Sequence, residues 1–233
     1  MTYSSPAESG RSTIISPWLL IGPPLAAFMN ILADRLTFSL SATSLRAVVA
    51  ADSLIHAVTG VVLVFAIFAH RRPTRLLLFT ACLTSVLVDL DHFVEAKSLN
   101  LEDALSLTWR PFLHDTFTVG VVCTLSAALC AFFHFCDCHT RRLQGRREAP
   151  VADGRADSAR RGRVYMALLV TILVSVLAHH ARDALRRGFW LKFTSTRPIS
   201  YSEMMVIFYG LVVLGKLATD LGSGSPRHSV LMV

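Results

Sequence analysis

The sequence predicts an all-α fold: a multi-pass integral membrane helix bundle of about six spans, or five, with one disordered Arg-rich loop. Three observations carry that prediction. Hydrophobic residues are 53% of the 233 positions and charged residues only 17%, with a mean hydropathy of +0.51, a balance that excludes an ordinary water-soluble domain. Several apolar stretches approach the ~20 residues that cross a bilayer. The charge is gathered rather than spread: eight arginines fall between Arg141 and Arg163, beside the apolar stretches and not within them.

Residues 1–13 are polar and read as a flexible N-terminus. The first span runs from Ile14 to Leu32, ending at Asp34 and Arg35. Pro17, Pro23 and Pro24 predict a first half that is kinked or non-helical. The second span covers Leu45 to Ala69, with Asp52 and His56 embedded and His70, Arg71, Arg72 and Pro73 as its stop. The third covers Leu76 to Val94. Residues 98–109 carry leucines among acids and predict a short interfacial helix.

The fourth span opens at Pro111, a favoured first helical position, and continues to about Phe135, so spans one to four and the interfacial helix occupy 14–136. Residues 137–162, charged and containing Pro150, read as the disordered Arg-rich loop. Spans five and six, Val164 to Leu185 and Tyr201 to Leu221, fall within 163–221, followed by a flexible tail over 222–233. Nothing resembles a cleavable leader, so the N-terminus is expected to be retained.

The arginine cluster suits anionic lipid headgroups. Without aromatic interleaving or a nucleic-acid motif, binding to nucleic acid is excluded. With six spans, the arginine loop and both termini share one side, which the positive-inside tendency makes cytosolic, although Arg182, Arg186, Arg187, Lys192 and Arg197 lie opposite. Organelle and protein partners have no visible signal. The five cysteines form no disulfide framework: Cys82, Cys123 and Cys130 read as small buried hydrophobes. Cys136 and Cys138, in HFCDCH, fit reduced or palmitoylated juxtamembrane positions better than a zinc site with His134 and His139.

Alternating direction puts chemistry in one layer. Asp89, Asp91 and His92 end the third span, Arg110 and His114 open the fourth, and His179, His180 and Asp183 end the fifth. Asp52 and His56 lie early in the second. Five of the nine histidines thus fall at one membrane depth. His179 and Asp183 are four residues apart and share a helix face, as do Asp89 and His92, three apart. Asp91 points elsewhere unless the helix unwinds at its end. Mixed His/Asp ligation suits a divalent ion such as zinc, manganese, iron or magnesium. Asp91, His92, His114, His179 and Asp183 are the expected metal ligands. His56 is a further ligand or base, Asp89 a ligand or outer acceptor, and Arg110 and Arg182 stabilise anionic charge, with Arg186 near them. His180 reads as a packing residue, and Asp34 with Arg35 as an interfacial anchor.

The segments TSVLVDLDHF, LTWRPFLHD and AHHARDALRRGFW, with ADRL near Asp34, resemble the Transmembrane protein 267 family in the same order, from about residue 25 to 210. That resemblance implies a multi-pass membrane protein and assigns no chemistry. A more distant similarity is to bacterial membrane-bound metal-dependent hydrolases of the YdjM type, which show an upstream His, then D-x-D-H, H-R-x-x-T-H-S and S-H-x-x-x-D. His56, then Asp89, Asp91 and His92, then Arg110 and His114, then His179 and Asp183 match that order. Trp109, Leu113, Asp115 and Ala178 depart from it, and Asp115 would have to replace a lost group. The likeness implies a metal-dependent hydrolase of an ester or phosphoester, with lipid among the substrates. The other readings are a non-catalytic membrane protein of scaffold type, using the cluster for helix packing, and an ion or proton pathway. The last needs polar groups in the opposite leaflet, which are sparse.

Overall fold

The computed structural model describes residues 16–40, 44–69, 73–144 and 152–222, with the backbone alone at most positions between 127 and 161. Through them run the helices α1 (Trp18–Leu40), α2 (Leu45–Phe68), α3 (Arg75–Leu87), α4 (Leu90–Ala96), α5 (Leu101–Leu105), α6 (Thr116–Gln144), α7 (Ala152–Arg187) and α8 (Tyr201–Gly222). A 3-10 turn at Phe112–His114 leads into α6. A small antiparallel hairpin, β1 (Trp190–Leu191) and β2 (Thr194–Ser195), joins α7 to α8.

Five helical stretches among the described residues are long and apolar enough to cross a bilayer: Trp18–Ser39, Leu45–Phe68, Arg75–Ala96, Gly162–Arg187 and Tyr201–Asp220. The chain is a multi-pass membrane bundle. Its α6 has 29 residues, about 43 Å at helical rise, and its described apolar part is Thr116–Ser126.

Several boundaries differ from the sequence expectation, each for a local reason. Pro23 and Pro24 lie inside a continuous α1, which is helical from Trp18 and runs past Asp34 to Leu40. Pro23 is fully buried, so packing on neighbouring helices outweighs the bonds its ring forbids. The helix expected as the fourth span, α6, starts at Thr116, not Pro111, because Asp115 caps it there, and its described apolar part is shorter than a span. The Asp115 carboxylate accepts from Phe117 N at 3.3 Å and Thr118 N at 3.3 Å. The interfacial segment is helical only over Leu101–Leu105, capped by Asn100. The expected Arg-rich loop is shorter than 137–162: residues 137–144 extend α6, and 152–162 belong to α7.

The third span is broken. Val88 and Asp89 form a turn between α3 and α4, with Asp89 N bonded to Val86 O and Asp91 N to Val88 O. That three-residue winding turns both aspartates toward the same side.

Helix α2 is the central one, packed against α1, α3, α7 and α8. Leu63, Val64 and Ile67 of α2 meet Ala81, Val174, Phe208 and Val212 in the core. Small residues let these helices approach: a Cβ on Gly60 would collide with Ser85 Oγ and crowd Ser175 Oγ. Asn30 Nδ2 donates across the α1–α2 contact to Thr59 Oγ1 at 2.9 Å. Phe28, Leu54, Phe79, Leu125 and Val206 face outward, as lipid-facing residues must. Cys82, expected to be buried, is also exposed on that surface, and Cys123 is half-buried. His134, Cys138 and His139 lie outside the residues whose side chains are described.

Candidate metal centre

Each polar residue comes from a helix end at the same level of the bundle. The C-terminal part of α7 contributes His179 and Asp183, one turn apart, and the α3–α4 break contributes Asp89. The 3-10 turn before α6 contributes His114. Their donor atoms are nearly equidistant. His114 Nε2 lies 3.3 Å from His179 Nε2, 3.4 Å from Asp89 Oδ1 and 3.4 Å from Asp183 Oδ2. His179 Nε2 lies 3.5 Å from Asp89 Oδ1 and 3.7 Å from Asp183 Oδ2.

Four donors around a cation at about 2.1 Å stand about 3.4 Å apart when tetrahedral. Five of the six separations lie near that edge, and the groups close enough to share one ion include Asp89 with His114 and His179, and His56 with His179 and Asp183. The sixth joins two carboxylates, whose repulsion a cation would relieve. The two facing Nε2 atoms can share one proton in a hydrogen bond at 3.3 Å, and the same two lone pairs could instead meet a cation.

The outer contacts fix which ring atom faces inward. His179 Nδ1 is 2.8 Å from the carbonyl of Ser85, a proton acceptor only, so Nδ1 carries the proton and Nε2 is left for the centre. His114 Nδ1 is 3.0 Å from Asp91 Oδ1, while Asp91 Oδ2 accepts from Leu113 N at 2.7 Å. Asp91, expected as a ligand, meets His114 at Nδ1 and could share an ion with His114 and His92, while Asp89 faces His114 Nε2 and could share one with His114 and His179.

His114 lies outside the spanning helices, and its pKa is pushed up to about 9. Burial alone would lower it, but hydrogen bonds to Asp89 and Asp91 and the charge of Asp183 outweigh that. A cation bound here would displace that proton.

His56, from α2, stacks on His179 with ring centroids 3.8 Å apart and reaches the other oxygen of Asp183 at 3.5 Å. His92 is held by Ala104 O at 3.2 Å and sits edge-on to His114, within a possible ligand group with Asp91 and His114. His180, next to the inward-facing His179, turns to Thr116 Oγ1 at 3.2 Å, as a packing residue does.

The two arginines expected to stabilise an anion are engaged elsewhere. Arg110 stacks over the Trp190 ring at 5.8 Å. Arg182, 2% exposed, donates through Nη2 to Asp34 Oδ1 at 2.7 Å and to Asp52 Oδ1 at 3.0 Å. Arg186 binds the same two acids, and Tyr201 donates to Asp34 Oδ2 at 2.6 Å. Asp34, partly buried, therefore belongs to an ion-pair network and is not a plain interfacial anchor. The alternation that placed the other residues in this layer also applied to it. Asp115 cannot replace a missing ligand: its carboxylate caps α6, bonds the Thr118 hydroxyl and accepts from Lys192 N at 3.0 Å. Those donors hold its pKa below the usual carboxylate value, although burial opposes them.

Beside the centre opens a pocket of about 210 Å³. Asp89, His114, Asp183 and His92 form its polar wall, Leu101 and Leu105 its apolar wall, and Arg186 and Arg187 lie along it.

Against known proteins, the chain is 34% identical over 165 residues to Transmembrane protein 267 of Mus musculus, covering 70% of the chain and 63% of that protein. It is 29% identical over 160 residues to Transmembrane protein 267 of Bos taurus, covering 67% of the chain and 61% of the relative. The Danio rerio protein of that name is 29% identical over 153 residues, covering 64% of the chain and 57% of the relative. The chain thus matches about three-fifths of the length of these curated relatives. No family model matches it, so the likeness to YdjM-type hydrolases rests on the residues alone. No solved structure matches it either.

Proposed function

We propose that this chain belongs with the Transmembrane protein 267 proteins it resembles and binds a divalent cation through Asp89, His114, His179 and Asp183. In this reading it is a metal-dependent hydrolase of an ester or phosphoester at the membrane interface. The carrying observation is the set of five separations near 3.4 Å among four donor atoms from three parts of the chain. When bound, the ion supplies Lewis acidity and a water of lowered pKa, the chemistry that ester and phosphoester hydrolysis needs. The chain's own groups orient and balance it. Asp91 and the Ser85 carbonyl set the tautomers, and His56 holds a proton against the second oxygen of Asp183. Arg186 and Arg187, rather than Arg110 and Arg182, face an anionic group in the pocket. The Arg-rich flank around Arg141–Arg163 lies at anionic headgroups on the cytosolic side, opposite the centre.

Metal analysis of the full chain purified in detergent tests this. About one equivalent of zinc, manganese or iron is expected in the unaltered protein, and at least tenfold less in His179→Ala and His114→Ala. Release of product from ester and phosphoester lipids should follow the metal. Well-folded protein that neither carries nor takes up metal would overturn the reading. The second reading, a packing cluster without catalysis, draws on the Arg182–Asp34–Asp52 network, which ties α7 to α1 and α2 and needs no ligand. In that case His179→Ala changes thermal stability and nothing else.

A further inference from the structure

We infer that the pocket receives a lipid bearing a phosphate headgroup, with Arg187 and Arg186 on the phosphate and Leu101 and Leu105 against the glycerol and first methylenes. This rests on the metal-centre reading for its polar wall, but its own observations are separate. Arg186 is paired with Asp34 and Asp52, whereas Arg187 makes no ion pair among the described residues. A guanidinium on the pocket wall with no ion pair among the described residues suits an anionic group.

The pocket's shape selects the rest of the ligand. A volume of about 210 Å³, roughly seven waters' worth, holds a headgroup and leaves acyl chains outside. Outside, the chain offers apolar surface: Leu90, Val94 and Leu105 are exposed beside the pocket. Trp109 is 76% exposed and Phe193 89% exposed on the loops flanking this end. Exposed aromatics with neighbouring Arg and Lys mark the headgroup level of a bilayer. A free phosphate would use the guanidiniums alone. A lipid phosphate uses both walls, and that is the source the geometry favours.

Native mass spectrometry of the full chain in detergent, with dioleoyl phosphatidic acid, dioleoylglycerol or inorganic phosphate added, tests this. One phosphatidic acid per chain should be retained, at least tenfold in preference to dioleoylglycerol and undisturbed by equimolar inorganic phosphate. Arg187→Gln and Leu105→Glu should each lower retention about tenfold while thermal stability and metal content stay unchanged. Equal retention of dioleoylglycerol, displacement by inorganic phosphate, or full retention in both variants would overturn the lipid assignment. Metal content is read in the same samples, which separates the two readings. Metal without lipid sinks this inference alone; lipid without metal sinks the metal centre and leaves the pocket standing.

Discussion

Around Arg182, two guanidiniums face two carboxylates and a phenol, and charges cancel within the group. Around His114, two carboxylates and two imidazoles face one another with their donor atoms about 3.4 Å apart. Both clusters lie at the same end of the bundle, set buried Arg182, His114 and His179 against partly exposed acids, and share α7, on which Arg182 and Asp183 are consecutive residues. What separates them is the pairing of charge. The arginine cluster sets opposite charges against one another, and its ion pairs hold helices together, although Arg182 Nε and Nη1 are buried without a partner among the described residues. The histidine cluster sets two carboxylates against two imidazoles, only one of which, His114, has its pKa raised to about 9, and its outer ring atoms are met by Asp91 and Ser85. The first arrangement binds helices to one another; the second brings together donor atoms of the kind that could hold an ion.

The largest expected effect breaks the strut. Arg182→Met leaves Asp34 and Asp52 facing each other with only the half-exposed Arg186 between them. Removing one partner of a buried pair costs about 3–5 kcal/mol. Thermal unfolding in detergent should show a large drop, while the fraction that remains folded keeps its metal. Loss of metal without loss of stability would show that the two clusters are one unit.

Next comes the orienting acid. Asp91→Asn preserves shape but weakens the hold on His114 Nδ1, and changes to such outer partners typically cost 10–100-fold in metal affinity. Competition with a chelator at fixed free zinc measures it. An effect as large as that of Asp89→Asn would return Asp91 to the ligand shell.

The placing of these two acids marks how far the sequence could be read. Alternating span direction was enough to bring His56, Asp89, His114, His179 and Asp183 to one depth, because it depends only on the order of apolar runs. It could not tell which ring nitrogen of His114 each of Asp89 and Asp91 would meet, since both orientations depend on a turn at Val88–Asp89 that apolar composition does not encode. The Ser85 carbonyl was invisible for a different reason: any residue supplies one, so no residue type signals it. Arg110 and Arg182 were assigned to an anion because charge was legible and partners were not. Trp190 and Asp34, 80 and 148 positions away along the chain, claim them in the fold. The prolines of α1 were read by local propensity, which burial in the bundle overrode.

A smaller effect is expected at the cap that fixes where α6 begins. Asp115→Asn removes a charge that three backbone N–H groups and the Thr118 hydroxyl favour, costing about 1 kcal/mol at neutral pH. The folded pKa of Asp115 lies below its unfolded value near 3.9, so its contribution is present above pH ~4 and disappears as pH falls through the folded value. Stability curves of the two proteins should therefore differ at pH 7 and converge in acid. A gap that persists at low pH would mean that shape, and not charge, holds the cap.

The smallest effect is expected from the residue beside the most critical ligand. His179 and His180 are adjacent, both buried, and indistinguishable by type. On a helix, consecutive side chains point about 100° apart, so only one can face the centre. His179 does, while His180 bonds Thr116 Oγ1 at 3.2 Å. His180→Phe should thus cost about 1 kcal/mol for the lost bond and leave metal content at one equivalent. His179→Phe should empty the centre. If both substitutions empty it equally, the site depends on the packing of α7 against α6 and not on the direction in which one ring points.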